Sequence, residues 1–433
     1  MTSTPHPPGV LSFENARRCV LDYCRQIAPP LTEDVSLLAA FGRVLAEPVH
    51  ADRPFPPFAR STRDGYAVRS ADLTTASCTL LVVGQIKAGD GFDHALAAGE
   101  AVEIMTGAAV PEGADTVVMV EHTSQRETAG RKEVDVQRAG GQGENIVPAG
   151  AEARQGQEIL PRGMRLDSAQ IAMAAGAGRS KLTVYRRPQV AILATGDELV
   201  DLARIPGPFQ IRNSNSYSLA TQILARGGDP FRLPVAPDEP RKLSTLIHAG
   251  LSADLLLISG GVSMGKFDLV EAALRKMGAE FFFTGVLIQP GRPVVFGHVE
   301  FSGGRRRSGI RREARKVRSL RRIPFFGLPG NPISAMVCFE LFGHAVLDAL
   351  GGAVPSRLPA AKARLRQAVR TKTGLTRFLP AVLEGGLDDP QVEAISWQGS
   401  GDLLASARAN CYLVVPPDRD SIAAGETVSI LTR

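Results

Sequence analysis

The stretch LLLISGGVSMGKFDLVEAAL, Leu255 to Leu274, holds the residues with the most chemistry to offer. Gly260 to Lys266 reads GxxxxGK, the opening of a phosphate-binding P-loop, but Phe267 stands where a P-loop needs Ser or Thr to hold Mg²⁺. Asp268 comes next, and Glu271 three residues later predicts a helix starting at an Asp-x-x-Glu capping box. What remains is a strand, a glycine-rich turn with free backbone N–H groups and a carboxylate at a helix start. That combination suits phosphate and a metal by another architecture; the alternative is a tight turn in which Asp268 is an N-cap only.

Other short stretches offer similar groups. TGDEL, Thr195 to Leu199, comes directly after the strand VAILA; its acids either form a capping box (Thr195 with Glu198) or hold Mg²⁺ and a ligand at a strand end. Pro206 and Pro208 leave little room for a helix there. Asp238, after Pro237, is an N-cap or a further ligand at another strand end. RSTRDGYAV contains Asp64-Gly65, a hairpin-turn dipeptide in its own right. Thr106 of MTGA, Arg292 of PGRP and Asn331 of LPGNP complete the set: a hydroxyl, a cation and an amide on loops.

Residues from Leu11 to Val49 have helical spacing with a break at Pro29-Pro30, and from about 50 to 140 short runs such as CTLLVVG and DTVVMVE predict a small β domain. Residues 141–185 are turn-rich with a short helix at Leu166 to Ala177, so 11–185 is one N-terminal region. Beyond Arg187-Pro188 strands alternate with helices (about Ser216–Arg226, Glu239–Gly250 and Asp268–Met277), which predicts a multidomain α/β protein with a doubly wound, mostly parallel sheet in 186–354. Its sites belong at the carboxyl ends of the strands. A long helix starts near Pro332, and 355–433 is a C-terminal β domain.

With 433 residues, 44 Gly and 30 Pro, several domains are expected. The five Cys are scattered without a CxxC pair and the seven His lack an HExxH, so reduced thiols and a hard metal on oxygen ligands are expected rather than a zinc site. The N-terminus has no apolar signal core and no uninterrupted apolar run approaches membrane length, which points to a cytoplasmic protein with no membrane contact. The net charge of +6 is concentrated: Phe301 to Arg322 carries ten Lys or Arg against Glu313, a local +9 that, taken from +6, leaves −3 elsewhere. That insertion reads as a solvated loop, with contact to RNA or another anionic partner as the alternative.

Taken in order, DGYA, MTGA, GENI, TGDEL, SGGVSMG with its Asp, PGRP, GLPGNPISA and a terminal AN-x-x-x-x-x-P resemble the molybdopterin molybdenumtransferase (MoeA) family, to which gephyrin and the plant cofactor-insertion proteins are related. The resemblance spans residue 11 to the end. It implies an elongated homodimer of four-domain subunits that uses Mg²⁺ to insert molybdate into adenylyl-molybdopterin, releasing AMP. Molybdopterin adenylyltransferase and the recipient molybdoenzymes are its implied functional partners. Asp64, Glu198 and Asp268 are implied as catalytic, and Glu198, Asp238 and Asp268 as metal ligands. Thr106, Ser259, Gly260, Gly261, Ser263, Arg292, Pro329, Gly330, Asn331 and Ser400 are implied to bind substrate, with Asp64 and Thr106 acting across the dimer. The sequence departs from the family where Gln289 replaces a Lys before PGRP, Val147 an Arg after GENI, and Leu375 and Pro380 a pair of Arg flanking Arg377. The alternatives are a molybdopterin adenylyltransferase, which shares the sheet domain, and a non-catalytic scaffold.

The near-miss P-loop makes a prediction. Asn is as good a helix cap as Asp, so Asp268→Asn keeps any cap and removes the charge. Turnover at least roughly tenfold slower, about 1.4 kcal/mol of transition-state stabilisation, with near-native thermal stability and a milder Lys266→Ala, is the expected result in a molybdenum-insertion assay; the opposite ranking would mark a true P-loop.

Overall fold

The computed structural model describes residues 9–73, 77–261, 267–302, 320–355 and 357–433, and for residues 267 and 268 the backbone alone. The chain forms two compact units, one of Met1–Asp34, Gly42–Ala46 and Thr183–Arg433, the other of Val35–Phe41 and Glu47–Leu182.

The first unit is built on a six-stranded sheet in the order Asp229–Arg232, Gln189–Ala194, Leu255–Ser259, Arg321–Leu328, Val295–Phe301, Glu280–Phe283. The first three pairings are parallel and the last two antiparallel. The parallel strands read as unbroken apolar runs because both faces are covered. Val190, Ile192, Leu255 and Leu257 enter one core with helices Phe13–Cys24, Asn215–Ala225 and Pro332–Leu350, while Ala191, Leu193, Leu256 and Ile258 enter another with Pro240–Gly250 and Phe267–Lys276.

Helix Pro332–Leu350 starts with proline, whose missing N–H has no partner in a first turn anyway. It is long and apolar enough to cross a membrane, yet most of it lies inside this core. Residues Phe339–Gly343 form a π-turn within it. A Cβ at Gly343 would lie 2.2 Å from the Phe339 ring, so only glycine lets that ring fold back over its own helix.

Several predicted boundaries move. The first helix ends at Cys24, and Thr32–Ser36 beyond the proline pair is a strand. The helix expected to start with Asp268 as its cap begins at Phe267, which puts Asp268 inside the first turn. The ends of the basic insertion are strand: Phe301 pairs with Arg321 and Glu300 with Arg322, so the insertion joins two antiparallel strands. Residues 303–319, its bulk, lie outside the described residues.

The C-terminal part of this unit is a small closed barrel. Strands Thr376–Glu384, Gln391–Ala394, Ala360–Leu365, Thr427–Thr432 and Cys411–Val415 run in that order, and the last pairs back with the first. Asn410 latches it: its Oδ1 accepts from Leu383 N at 2.7 Å and its Nδ2 donates to Leu383 O at 3.0 Å.

The second unit carries a sheet in the order Thr116–Met119, Gly65–Val68, Glu100–Ile104, Cys78–Ile86, Arg131–Val136, Thr123–Thr128. Asp64-Gly65 is therefore no hairpin turn. Gly65 opens a central strand and is needed for close approach, since a Cβ there would lie 1.9 Å from Val118 O.

Phe326 is fully buried and stacks on Phe296 at 4.6 Å between ring centroids. Phe326→Ala should cost about 3–5 kcal/mol in urea unfolding of the full chain; a loss below about 1 kcal/mol would mean that this face collapses around the gap.

Candidate functional site

The loops at the carboxyl ends of the parallel strands emerge side by side because the ladder runs on past the strands. Thr195 N donates to Ser259 O at 2.9 Å, Gly260 N to Leu328 O at 3.1 Å and Gly196 N to Ala236 O at 3.2 Å. TGDEL, the Pro237-Asp238 pair, SGG and LPGN thus meet along one edge. Gly260 has φ +94°, and a Cβ on it would lie 2.4 Å from Thr195 O; glycine is required twice over. Its N–H is engaged by Leu328, so the run of free N–H groups expected of SGGVS does not include the one at Gly260.

TGDEL is a turn into the short strand Leu199–Val200, which removes the capping-box reading of Thr195 and Glu198. Glu198 is exposed and Asp238 half-buried. Asp197 ties the two loops together, accepting from Asp238 N at 3.2 Å. Helix Pro240–Gly250 has Glu239, not Asp238, at its cap position. The buried Thr195 hydroxyl has no hydrogen-bond partner among the described residues.

Asp197, one of the two TGDEL acids, thus ties loops together. A residue that sequence reasoning passed over also holds this edge: Asn215, whose Nδ2 donates to Ser259 Oγ at 2.9 Å and to Gly330 O at 2.7 Å, joining two loops far apart in the chain. The only local signal was the polar run NSNS at a helix start, which also reads as an ordinary cap.

At the next loop Asn331 Nδ2 donates to Ser400 Oγ at 2.7 Å and Ile333 N to Ser400 O at 3.1 Å, so two predicted site residues meet at the join with the barrel. Pro329 is buried. Arg292 is exposed. One of the family departures finds a partner as well: Arg377, almost fully buried, donates from Nε to Gln289 Oε1 at 2.9 Å, just before the PGRP loop. Gln289 is the better partner for Arg377 there, because a Lys would set two cations against each other.

In the second unit Asp64 and Thr106, 42 residues apart, come together as the sequence implied. Asp64 Oδ1 accepts from Thr106 N at 2.6 Å and from Thr106 Oγ1 at 2.8 Å. The backbone bond first, and the hydroxyl second, hold the Asp64 carboxyl below its ordinary range. The GENI loop supports this corner: Asn145, at φ +57°, accepts from Thr62 N at 2.9 Å through its carbonyl and donates from Nδ2 to Val117 O at 2.8 Å.

Ser263 and Lys266 lie outside the described residues, as does the Asp268 carboxylate. Among the described residues no group of three or more His, Cys, Asp or Glu is placed to hold a metal ion.

Comparison with known proteins places each of these loops in a recognised framework. Three family models match in chain order: the MoeA N-terminal region (domain I and II) over residues 11–178, the probable molybdopterin binding domain over 191–349, and the MoeA C-terminal region (domain IV) over 362–432. A molybdopterin molybdenumtransferase of Nostoc sp. is 34% identical, over 92% of this chain and 88% of its own length. One from Haemophilus influenzae is 30% identical, over 97% and 98%. A solved molybdopterin biosynthesis MoeA protein of Pyrococcus horikoshii superimposes with a TM-score of 0.69 at 30% identity, covering 98% of this chain and 99% of that one.

The Asp64 corner yields a prediction. A depressed carboxylate pKa contributes stability that is present above the unfolded value of about 3.9 and is lost as pH falls through the folded value. Thr106→Val removes the hydroxyl and keeps the backbone donor. The Asp64 midpoint, tracked by carboxyl-carbon NMR, should rise in that variant without fully reaching the unfolded value; an unchanged midpoint would remove the hydroxyl from the account.

Proposed function

Because the chain belongs to the MoeA family, we propose that it is a molybdopterin molybdenumtransferase, inserting molybdate into adenylyl-molybdopterin with release of AMP. The observation that carries this reading is the extent of the match. Relatives named for that activity align over 92% and 97% of the chain, including both regions that flank the sheet domain, whereas an adenylyltransferase needs the sheet domain alone.

Release of AMP requires one phosphorus–oxygen bond of the pyrophosphate linkage to break, with water supplying the oxygen and protons that complete the two phosphates. The groups on this chain divide that work. Arg292, exposed on its loop, draws the oxyanions of molybdate and phosphate. The Gly260–Gly261 turn lets backbone approach phosphate closely. Ser259 is buried and bonded to Asn215, so its part is to hold the turn, and the Asn331–Ser400 bond does the same for LPGN. Asp64 stays ionised at neutral pH, and both its bonds fall on Oδ1, which leaves Oδ2 to face a substrate proton or cation.

Mg²⁺ belongs to the same reading. Glu198 and Asp238 are hard oxygen donors at neighbouring strand ends, with Asp268 as the third residue of the set, and the orphaned Thr195 hydroxyl adds another oxygen at this edge. Mg²⁺ characteristically takes one or two carboxylates and leaves its other positions to phosphate and water. When bound it neutralises charge on the phosphate oxygens. The reading also includes a homodimer, in which the Asp64–Thr106 pair of one subunit completes the strand-end site of the other. A cytoplasmic setting, supported by five free cysteines, and partnership with an adenylyltransferase and molybdoenzymes belong to it too.

The decisive experiment offers adenylyl-molybdopterin to the purified protein with and without molybdate. AMP should appear only when molybdate is present, and Asp64→Asn should slow it at least roughly tenfold. Equal AMP release without molybdate, or a requirement for ATP and unmodified molybdopterin, would defeat the assignment.

A further inference from the structure

A cavity of about 450 Å³ opens at the amino ends of the parallel strands, within the range of small-molecule sites. Pro188, Asp254 and Arg321 on its wall stand at the starts of the strands whose far ends carry TGDEL, SGG and LPGN. A six-residue strand at about 3.3 Å per residue separates it from that edge by roughly 20 Å. No part of the proposed reaction uses it.

Its charge is one-sided. Among the described residues, four guanidiniums, of Arg186, Arg187, Arg321 and Arg322, line it against the single carboxylate of Asp254. That carboxylate is already engaged, accepting from Arg321 Nη2 at 2.7 Å and from Gln189 N at 3.0 Å. Arg322 meets Glu300 at 3.3 Å, with both side chains exposed. The side chains of Arg186 and Arg187 are half-buried and have no hydrogen bond or ion pair among the described residues. Adjacent cations withdrawn from water without a counter-charge are unfavourable, and an anion between them relieves the cost.

The remaining wall is largely apolar and includes Pro29, Pro30, Leu31 and Leu350, and Arg186 N donates to Leu31 O at 2.7 Å, fixing the proline segment beside the arginines. Proline holds its own φ, so little ordering is left for a ligand to impose. A bare inorganic anion would leave the apolar wall unused, and a neutral hydrocarbon would leave the guanidiniums unpaired.

We propose that this cavity binds a small organic anion, a phosphate ester or carboxylate joined to an apolar body, independently of the strand-end site. The phosphate or carboxylate takes Arg186 and Arg187, whose planar donors match two acceptor oxygens. The apolar body lies along the proline wall.

Calorimetric titration of the full-length protein with phenyl phosphate, benzoate and inorganic phosphate at low ionic strength tests this. One site per chain is expected for phenyl phosphate or benzoate, with inorganic phosphate at least roughly tenfold weaker. The double variant Arg186→Gln/Arg187→Gln should weaken the organic anions at least roughly tenfold, while Asp64→Asn, in the other unit, leaves them unchanged. Leu31→Glu places a carboxylate at the mouth on a side chain already 59% exposed, so it should fold normally and repel the ligand; it decides the matter if the double variant is unstable. Failure of both organic anions to bind at about 10 mM, binding unaffected by Leu31→Glu, or inorganic phosphate binding as tightly as phenyl phosphate would overturn the proposal.

Discussion

The parallel pairing of Gln189–Ala194, Leu255–Ser259 and Arg321–Leu328 is the constraint on which the strand-end site depends. Parallel strands that are hydrogen-bonded in register end together, and the chain leaving each of them must then turn away at the same level. Three loops of unrelated sequence are thereby delivered to one edge, with a fourth from the end of Asp229–Arg232. The pairing persists because both faces of the sheet are dry: Val190 and Ile192 pack into one core, Ala191 and Leu193 into the other, and a slip of one residue would exchange the two sets.

Crowding at that edge is resolved by small groups rather than large ones. Gly260 lets the backbone pass the Thr195 carbonyl. The Asp197 carboxylate and the Asn215 amide each cross from one loop to another, and each uses backbone groups that would otherwise lack partners. The edge is held by hydrogen bonds, leaving Glu198 and Arg292 exposed on its surface.

Side-chain bonds that join the barrel to the sheet include Asn331 with Ser400 and Gln289 with Arg377. The second gives the departure at Gln289 a structural partner. Strand Ile288–Gln289 pairs in parallel with Thr376–Arg377, which places the amide oxygen against Nε of a buried guanidinium whose Nη1 donates to Leu375 O at 3.2 Å.

Much of this was legible in the sequence, for reasons that differ from element to element. Unbroken apolar runs alternating with amphipathic stretches determined the doubly wound sheet, because a strand covered on both faces has few polar options. Proline and glycine marked the start of the Pro332–Leu350 helix and the turns at the strand ends, since φ preferences are local. The order of motifs determined the family. Tertiary structure alone decided that Asp64-Gly65 opens a central strand, because Val118 O, distant in the chain, is what excludes a Cβ there. It alone decided that Thr195 and Glu198 make a turn, that Asn215 serves two loops, and that Gln289 and Arg377 are partners. Each of these rests on a contact between residues distant in sequence, and such contacts come into being only when the chain has folded.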